Sequence, residues 1–133
     1  GATASSYTLV AADRGARITV AGTGSAGGYA NATATSVKTA KVGYGTLKAA
    51  KPTISGATKV GKKLTAKAGS WGPKGVKLTY QWYRAGKTIK KATKSTYTLV
   101  KADKGARLTV KVKGSKSGFT SVSKTSKETA KVA

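Results

Sequence analysis

The chain has no cysteine, no histidine and no methionine, and only three acidic residues, Asp13, Asp103 and Glu128, among its 133. Each absence removes a class of chemistry. Without cysteine there is no disulfide framework, no thiolate metal site and no thiol nucleophile. Without histidine the commonest general base is missing too. The three acids are scattered, so no cluster of the calcium-binding kind exists. Asp13 and Asp103 each begin an Asp-x-Gly corner, where Asp is expected to accept local backbone hydrogen bonds. No apolar run reaches the ~18 residues of a membrane-spanning helix, so no membrane insertion is expected. The first residues do not read as a secretory leader, so any leader would have been removed or lie upstream. No stretch of useful length carries helical periodicity. The expectation is a protein without catalytic residues, cofactor or metal.

What the chain has in excess is positive charge. Twenty-six Lys and Arg give a formal net charge of +23. The distribution is uneven: residues 1–44 hold only Arg14, Arg17, Lys38 and Lys41, and all other basic residues follow. Such a surface attracts polyanions and responds to salt. Lysines on sheet edges also keep β proteins from aggregating, and both roles fit the composition.

A second feature is internal similarity. Ser95 to Val110 reads Ser-Thr-Tyr-Thr-Leu-Val-Lys-Ala-Asp-Lys-Gly-Ala-Arg-Leu-Thr-Val, and Ser5 to Val20 reads almost the same. The match persists at one separation, that between Tyr7 and Tyr97, as far as Val42 and Val132. Regular self-similarity of this kind marks repeat architecture. Residues 1–44 are therefore expected to form the C-terminal half of a repeat, and residues 45–133 a complete one. Tyr7–Val10, Arg17–Ala21 and a weaker segment ending at Val42 read as strands, with Gly22–Gly28 as a turn. In the complete unit, Pro52 marks an edge strand around Ile54. Leu64–Ala68, Leu78–Trp82, Tyr97–Val100 and Leu108–Val112 alternate with period two. Gly69–Gly75, with Trp71, and Ser115–Gly118 read as turns. Alternation predicts that Leu64, Ala66, Leu78, Tyr80, Trp82, Leu99, Leu108, Val110 and Val112 face inward. Short strands at this spacing indicate an all-β sandwich.

Three phrases carry a resemblance: Tyr80-Gln81-Trp82-Tyr83-Arg84-Ala85-Gly86-Lys87, Ser95-Thr96-Tyr97-Thr98-Leu99, and Val112-Lys113-Gly114-Ser115-Lys116-Ser117-Gly118-Phe119. In that order the unit resembles the bacterial immunoglobulin-like repeats found in tandem on secreted and surface proteins of Gram-positive bacteria, especially actinobacteria. The resemblance implies a disulfide-free immunoglobulin-like β-sandwich, an extracellular or cell-surface setting, and a spacer or attachment role. The two immunoglobulin cysteines are absent, with Ala66 at the first position. The family's corner pattern would turn Arg107 and Thr109 inward, whereas period two places Leu108, Val110 and Val112 there. The apolar pattern should prevail, because burying Arg107 and Lys111 unpaired costs far more than a one-residue shift.

Two glycine-rich strings are turns rather than nucleotide loops. Gly22-Thr23-Gly24-Ser25-Ala26-Gly27 opens no helix and has no acid about 20 residues on. Gly56 to Lys63 lacks the terminal Ser/Thr of a phosphate loop and precedes a strand. Asn31-Ala32-Thr33 fits the common glycosylation string. The resemblance places the strand after Leu108 between those after Leu78 and Val122. One outer face would then gather Lys77, Arg107, Lys111, Lys113, Lys127 and Lys131, with Tyr83. These six cations are the candidate polyanion site, with anionic cell-wall polymers or polysaccharide as the expected partner. Trp71 and Tyr83 are candidates for stacking on a sugar, as in a carbohydrate-binding module beside a secreted hydrolase. The alternative is that Trp71 caps the sandwich and Tyr83 lies under lysine stems. Charge without a recognition motif makes nucleic acid a weak candidate. Finally, Leu9, Ile18, Val20 and Tyr29 would line an uncovered face in residues 1–44. A homo-oligomer through this half, a strand swap and a separate chain are the three ways to cover it, the first being the expected one.

Overall fold

The strands follow from alternation of β-branched and aromatic residues against Lys and Thr, which suits a pleated surface with one wet face. The computed structural model describes residues 1–133 and divides them into two units, Gly1–Gly45 and Thr46–Ala133. The chain is nearly all-β; its only helical elements are single 3-10 turns at Ala11–Asp13 and Lys101–Asp103. No helix is long and apolar enough to cross a membrane.

In the first unit, β1 (Ala21–Gly24) pairs antiparallel with β2 (Ala32–Thr35) as a two-stranded sheet. Tyr7–Val10 and Arg17–Val20, expected as strands, lie outside the regular ladder. Gly22 and Gly24, expected in a turn, are instead in β1, because pairing with Ala34 and Ala32 continues through them. The actual turn is at Gly27–Gly28.

At the boundary lies β3 (Gly45–Thr46), and the second unit then begins with two short segments, β4 (Lys48–Ala49) and β5 (Thr53–Ser55). It continues through β6 (Lys63–Lys67), β7 (Trp71–Gly72), β8 (Lys77–Arg84) and β9 (Lys87–Thr88). The last strands are β10 (Thr96–Thr98), β11 (Leu108–Ser115), β12 (Phe119–Thr120) and β13 (Val122–Thr125). Two sheets dominate: a three-stranded one in the order β10-β6-β5, and a four-stranded one in the order β13-β11-β8-β9. Ala85-Gly86 closes the β8–β9 hairpin with positive φ at both positions, 44° and 76°. A two-residue hairpin turn of the mirror-image type requires this. Trp71, expected in a turn, pairs with Ala49 through the β4–β7 ladder.

Between the two sheets lies one core of Leu64, Ala66, Trp82, Leu99, Leu108, Val110 and Val132, an arrangement consistent with a β-sandwich. Val112 is also fully buried. Of the expected inward set, only Leu78 and Tyr80 are half-buried. Leu108, Val110 and Val112 face inward on β11 while Arg107, Lys111 and Lys113 are exposed, so the apolar register holds. The Trp82 indole Nε1 donates to the Lys94 carbonyl at 2.9 Å, which satisfies the polar atom of the largest buried side chain.

The segment after β13 does not keep period two. Ser126, Thr129 and Val132 donate their backbone N–H groups to Val110, Leu108 and Ala106. Three residues on one side thus match two on the other, as though a bulge residue were inserted at each step. The Oγ atoms of Ser126 and Thr129 accept in return from the amides of Val110 and Leu108, both at 3.0 Å. Side-chain hydroxyls therefore satisfy amides that carbonyls would satisfy in a regular ladder. Ser36 and Thr39 do the same for Val20 and Ile18 in the first unit.

Candidate functional site

The outer face of the four-stranded sheet is set by its register. Thr109, Lys111, Lys113 and Ser115 on β11 stand opposite Tyr83, Gln81, Thr79 and Lys77 on β8. Lys111 and Lys113 stand opposite Thr125 and Ser123 on β13. Since Val110 and Val112 point inward, these residues point outward. Lys77, Lys111 and Lys113 are thereby gathered on one face. Neighbours two residues apart along a strand, or diagonal across a pair, are about 7 Å from one another. That lies within one Debye length, about 8 Å at physiological salt, so the three charges act together on an anion.

The other three expected cations are not in this ladder. Arg107 precedes β11; its guanidinium donates to the Thr129 carbonyl at 3.0 Å and stands 4.0 Å from Glu128. Lys127 and Lys131 follow the break in alternation at Ser126 and are exposed. Lys127 lines an open groove of about 300 Å³ with Lys51, Pro52, Thr53, Ile54, Glu128 and Thr129, beside an edge of the other sheet. Regular strand pairing therefore places three of the six cations, Lys77, Lys111 and Lys113, on the flat face. For Lys127 and Lys131 the physical reason is the three-against-two step, which sets Ser126, Thr129 and Val132, rather than every second residue, against residues 106–110.

Neither aromatic candidate is a free platform. Trp71 is half-buried, and a Cβ built on Gly114 would overlap its ring, so the ring lies directly on the β11 backbone. Its Nε1 donates to the Ala68 carbonyl at 3.0 Å. Tyr83 is half-buried, and the Lys111 ammonium stands over its ring at 5.5 Å from the centroid. This cation–π contact places Tyr83 under a lysine and orients the charge. Beside it, the Gln81 amide donates to the carbonyls of Ile89 and Trp82, at 2.8 and 3.0 Å, which ties the Ile89–Ala92 loop to the same strand.

Alternation alone misses the most organised polar cluster. Asp103 is fully buried. Its carboxylate accepts from Arg84 Nε at 2.6 Å, from the Tyr97 hydroxyl at 3.0 Å and from the Val100 amide at 2.7 Å. The Val100 bond is the expected local one, the Tyr97 bond closes the same corner six residues back, and only the Arg84 bond comes from a strand of the other sheet. The Arg84 pKa is raised, chiefly by the hydrogen bond to Asp103. That of Tyr97 is raised by burial first and by Asp103 second. With Asp103 enclosed and its oxygens taken up by three donors, the cluster ties the end of β8 to the Lys101–Asp103 turn. The signal for it was present as the Asp-x-Gly corner and the Arg84 position, but nothing in sequence joins residues 19 apart on different strands.

With Asp103 enclosed, Glu128 is the one acidic side chain on the surface of Thr46–Ala133. Comparison with known proteins finds no matching family model, no matching curated protein and no matching solved structure.

Proposed function

We propose that this chain is a non-catalytic immunoglobulin-like repeat module of a bacterial extracellular protein. It spaces or holds a partner domain at the cell envelope of a Gram-positive bacterium and is drawn to anionic wall polymers. The fold reading is supported by strand order. If β5, β6 and β10 are strands A, B and E, and β8, β11 and β13 are C, F and G, the two sheets follow the immunoglobulin order. The repeat reading is supported by equivalent hydrogen bonds in both units: Gly15 to Val42 and Gly105 to Val132, Arg17 to Thr39 and Arg107 to Thr129.

The observation that carries the binding reading is charge without compensation. The surface of the second unit presents a single acid among some twenty cations, and three of these cations form the Lys77, Lys111, Lys113 group. Arg107, Lys127 and Lys131 extend the field beyond that group. Binding rests on long-range attraction to a flexible polyanion rather than on a shaped pocket. The carbohydrate-module reading is disfavoured because Trp71 and Tyr83 spend ring surface on Gly114 and Lys111.

The test is a pull-down of the chain on purified Gram-positive walls, with and without their teichoic acids, across a salt series. Capture that falls steeply with salt and with polymer removal is the expected result. Replacing Lys77, Lys111 and Lys113 by Ser should weaken capture more than replacing three lysines elsewhere. Equal loss in both sets would spread the site over the whole surface. Salt-insensitive capture by a neutral glycan would overturn the reading.

A further inference from the structure

The first unit carries an acceptor surface whose complement is spelled out in the second unit. In Thr46–Ala133, Leu99 and Val110 are 1% and 0% exposed; their counterparts Leu9 and Val20 are 53% and 67% exposed. Gly114 lies under the Trp71 ring, whereas Gly24 faces open space. β11 is paired on both sides, by β13 and β8, whereas β1 is paired only with β2. Asp103 accepts from a backbone amide, a tyrosine and an arginine. Asp13 accepts from the Val10 amide at 2.8 Å and the Tyr7 hydroxyl at 2.9 Å, with no arginine beside it. Apolar cover, ring contact, strand pairing and guanidinium are four separate provisions. In the second unit all four come from residues 46–90, through Leu64, Trp71, Trp82 and Arg84.

We propose that Gly1–Gly45 binds, by strand addition along the free edge of β1, a polypeptide segment with the pattern of residues 46–90 that is not already engaged by its own C-terminal half. The strand corresponding to β8 would pair with Ile18–Gly24, its tryptophan would cover Val20 and Leu9, and its arginine would complete Asp13. Main-chain pairing gives such a complex its affinity, and the side chains give it specificity. A second copy seated face to face would cover the apolar residues, but the two arginines of its first unit, Arg14 and Arg17, are already engaged by the Tyr44 ring and the Thr39 carbonyl. A swap between two copies would uncover one Leu99–Val110 face for each Leu9–Val20 face it covers. Neither removes the exposed surface in full.

The full chain supplies the test, with a synthetic peptide of residues 46–90 as the probe. Hydrogen exchange should show new protection at the amides of Thr19, Ala21 and Thr23, which face the free edge while those of Ile18 and Val20 already donate to Thr39 and Ser36, saturating at one peptide per chain. Val20→Asp, a change at an exposed position, should weaken binding at least tenfold. Asp13→Asn in the chain and Arg84→Gln in the peptide should each weaken binding, and together should do no more than either alone. No protection at millimolar peptide, or independent effects of the Asp13 and Arg84 changes, would overturn the proposal. So would a chain that dimerises by itself with these amides already protected, because the occupant would then be a second copy.

Discussion

Asp103 shows how one side chain ties sequence neighbours to distant strands. Its corner position secures the Val100 amide and the Tyr97 hydroxyl, and burial makes its remote partner Arg84 obligatory, since an enclosed carboxylate short of donors is costly. Removing Arg84 leaves that carboxylate with two donors and no counter-charge. Arg84→Ala is expected to cost about 3 kcal/mol, the low end for breaking a buried pair, because the arginine side chain is 31% exposed. Urea unfolding of the full chain measures this; a loss below ~1 kcal/mol, the scale of an exposed pair, would show the bridge to be superficial. Tyr97 adds a pH test. Its folded pKa is raised, so above the ordinary tyrosine value of 10.0 the folded state keeps a proton that the unfolded chain has released. Stability then falls with rising pH. The contribution of the Tyr97–Asp103 bond, about 1 kcal/mol, is complete below 10.0 and disappears as pH rises through the folded value. The stability gap between the native protein and Tyr97→Phe should therefore shrink above pH 10.0. A gap that stays constant there would exclude the linkage.

Among the elements, β11 sets the design. Its inner face supplies Leu108, Val110 and Val112, its outer face Lys111 and Lys113, and its last turn of pleat the Gly114 seat for Trp71. No unusual backbone angle demands glycine at 114; the ring above it does. Gly114→Ala should displace Trp71 and cost about 1–3 kcal/mol, as overpacking does. Gly24→Ala, which meets nothing within 4 Å, should be silent. Fluorotryptophan NMR distinguishes the outcomes: the Trp71 resonance should move in the Gly114 variant and that of Trp82 should hold. An unmoved Trp71 would mean that the ring is not seated on β11. The segment after β13 illustrates the opposite case, where hydroxyls at Ser126 and Thr129 replace ladder carbonyls and change which residues share a face.

At the scale of the whole molecule, charge dominates. The formal +23 acts against compaction as well as attracting polyanions. Sodium chloride should therefore raise the thermal midpoint while it weakens polymer binding. Screening worth about 1 kcal/mol would move the midpoint of a domain of this size by roughly 4–8 °C. Thermal melts over a chloride series check this, and chloride avoids the general stabilisation that sulfate brings. A midpoint independent of salt would show that the lysines are already spaced beyond mutual influence.

Alternation in the sequence determined the all-β class, the inward set on β6, β8 and β11, and the preference for Leu108 over Arg107 in the core. Period two is a local rule, and burying lysine is expensive enough to enforce it. The near-identity of Ser5–Val20 and Ser95–Val110 likewise determined that both corners make the same local bonds. What only tertiary structure decided is everything that depends on residues far apart. Arg84 reaches Asp103 because β8 pairs with β11, and Trp71 leaves its expected turn because β4 gives it a partner and Gly114 a seat. Lys127 and Lys131 lie outside the regular ladder because each bond of the Ser126–Val132 segment spans one residue more than on its partner strand. Such shifts leave no trace in composition or periodicity, because the hydroxyls that make them possible look the same as any exposed serine or threonine until the amides they serve are in place.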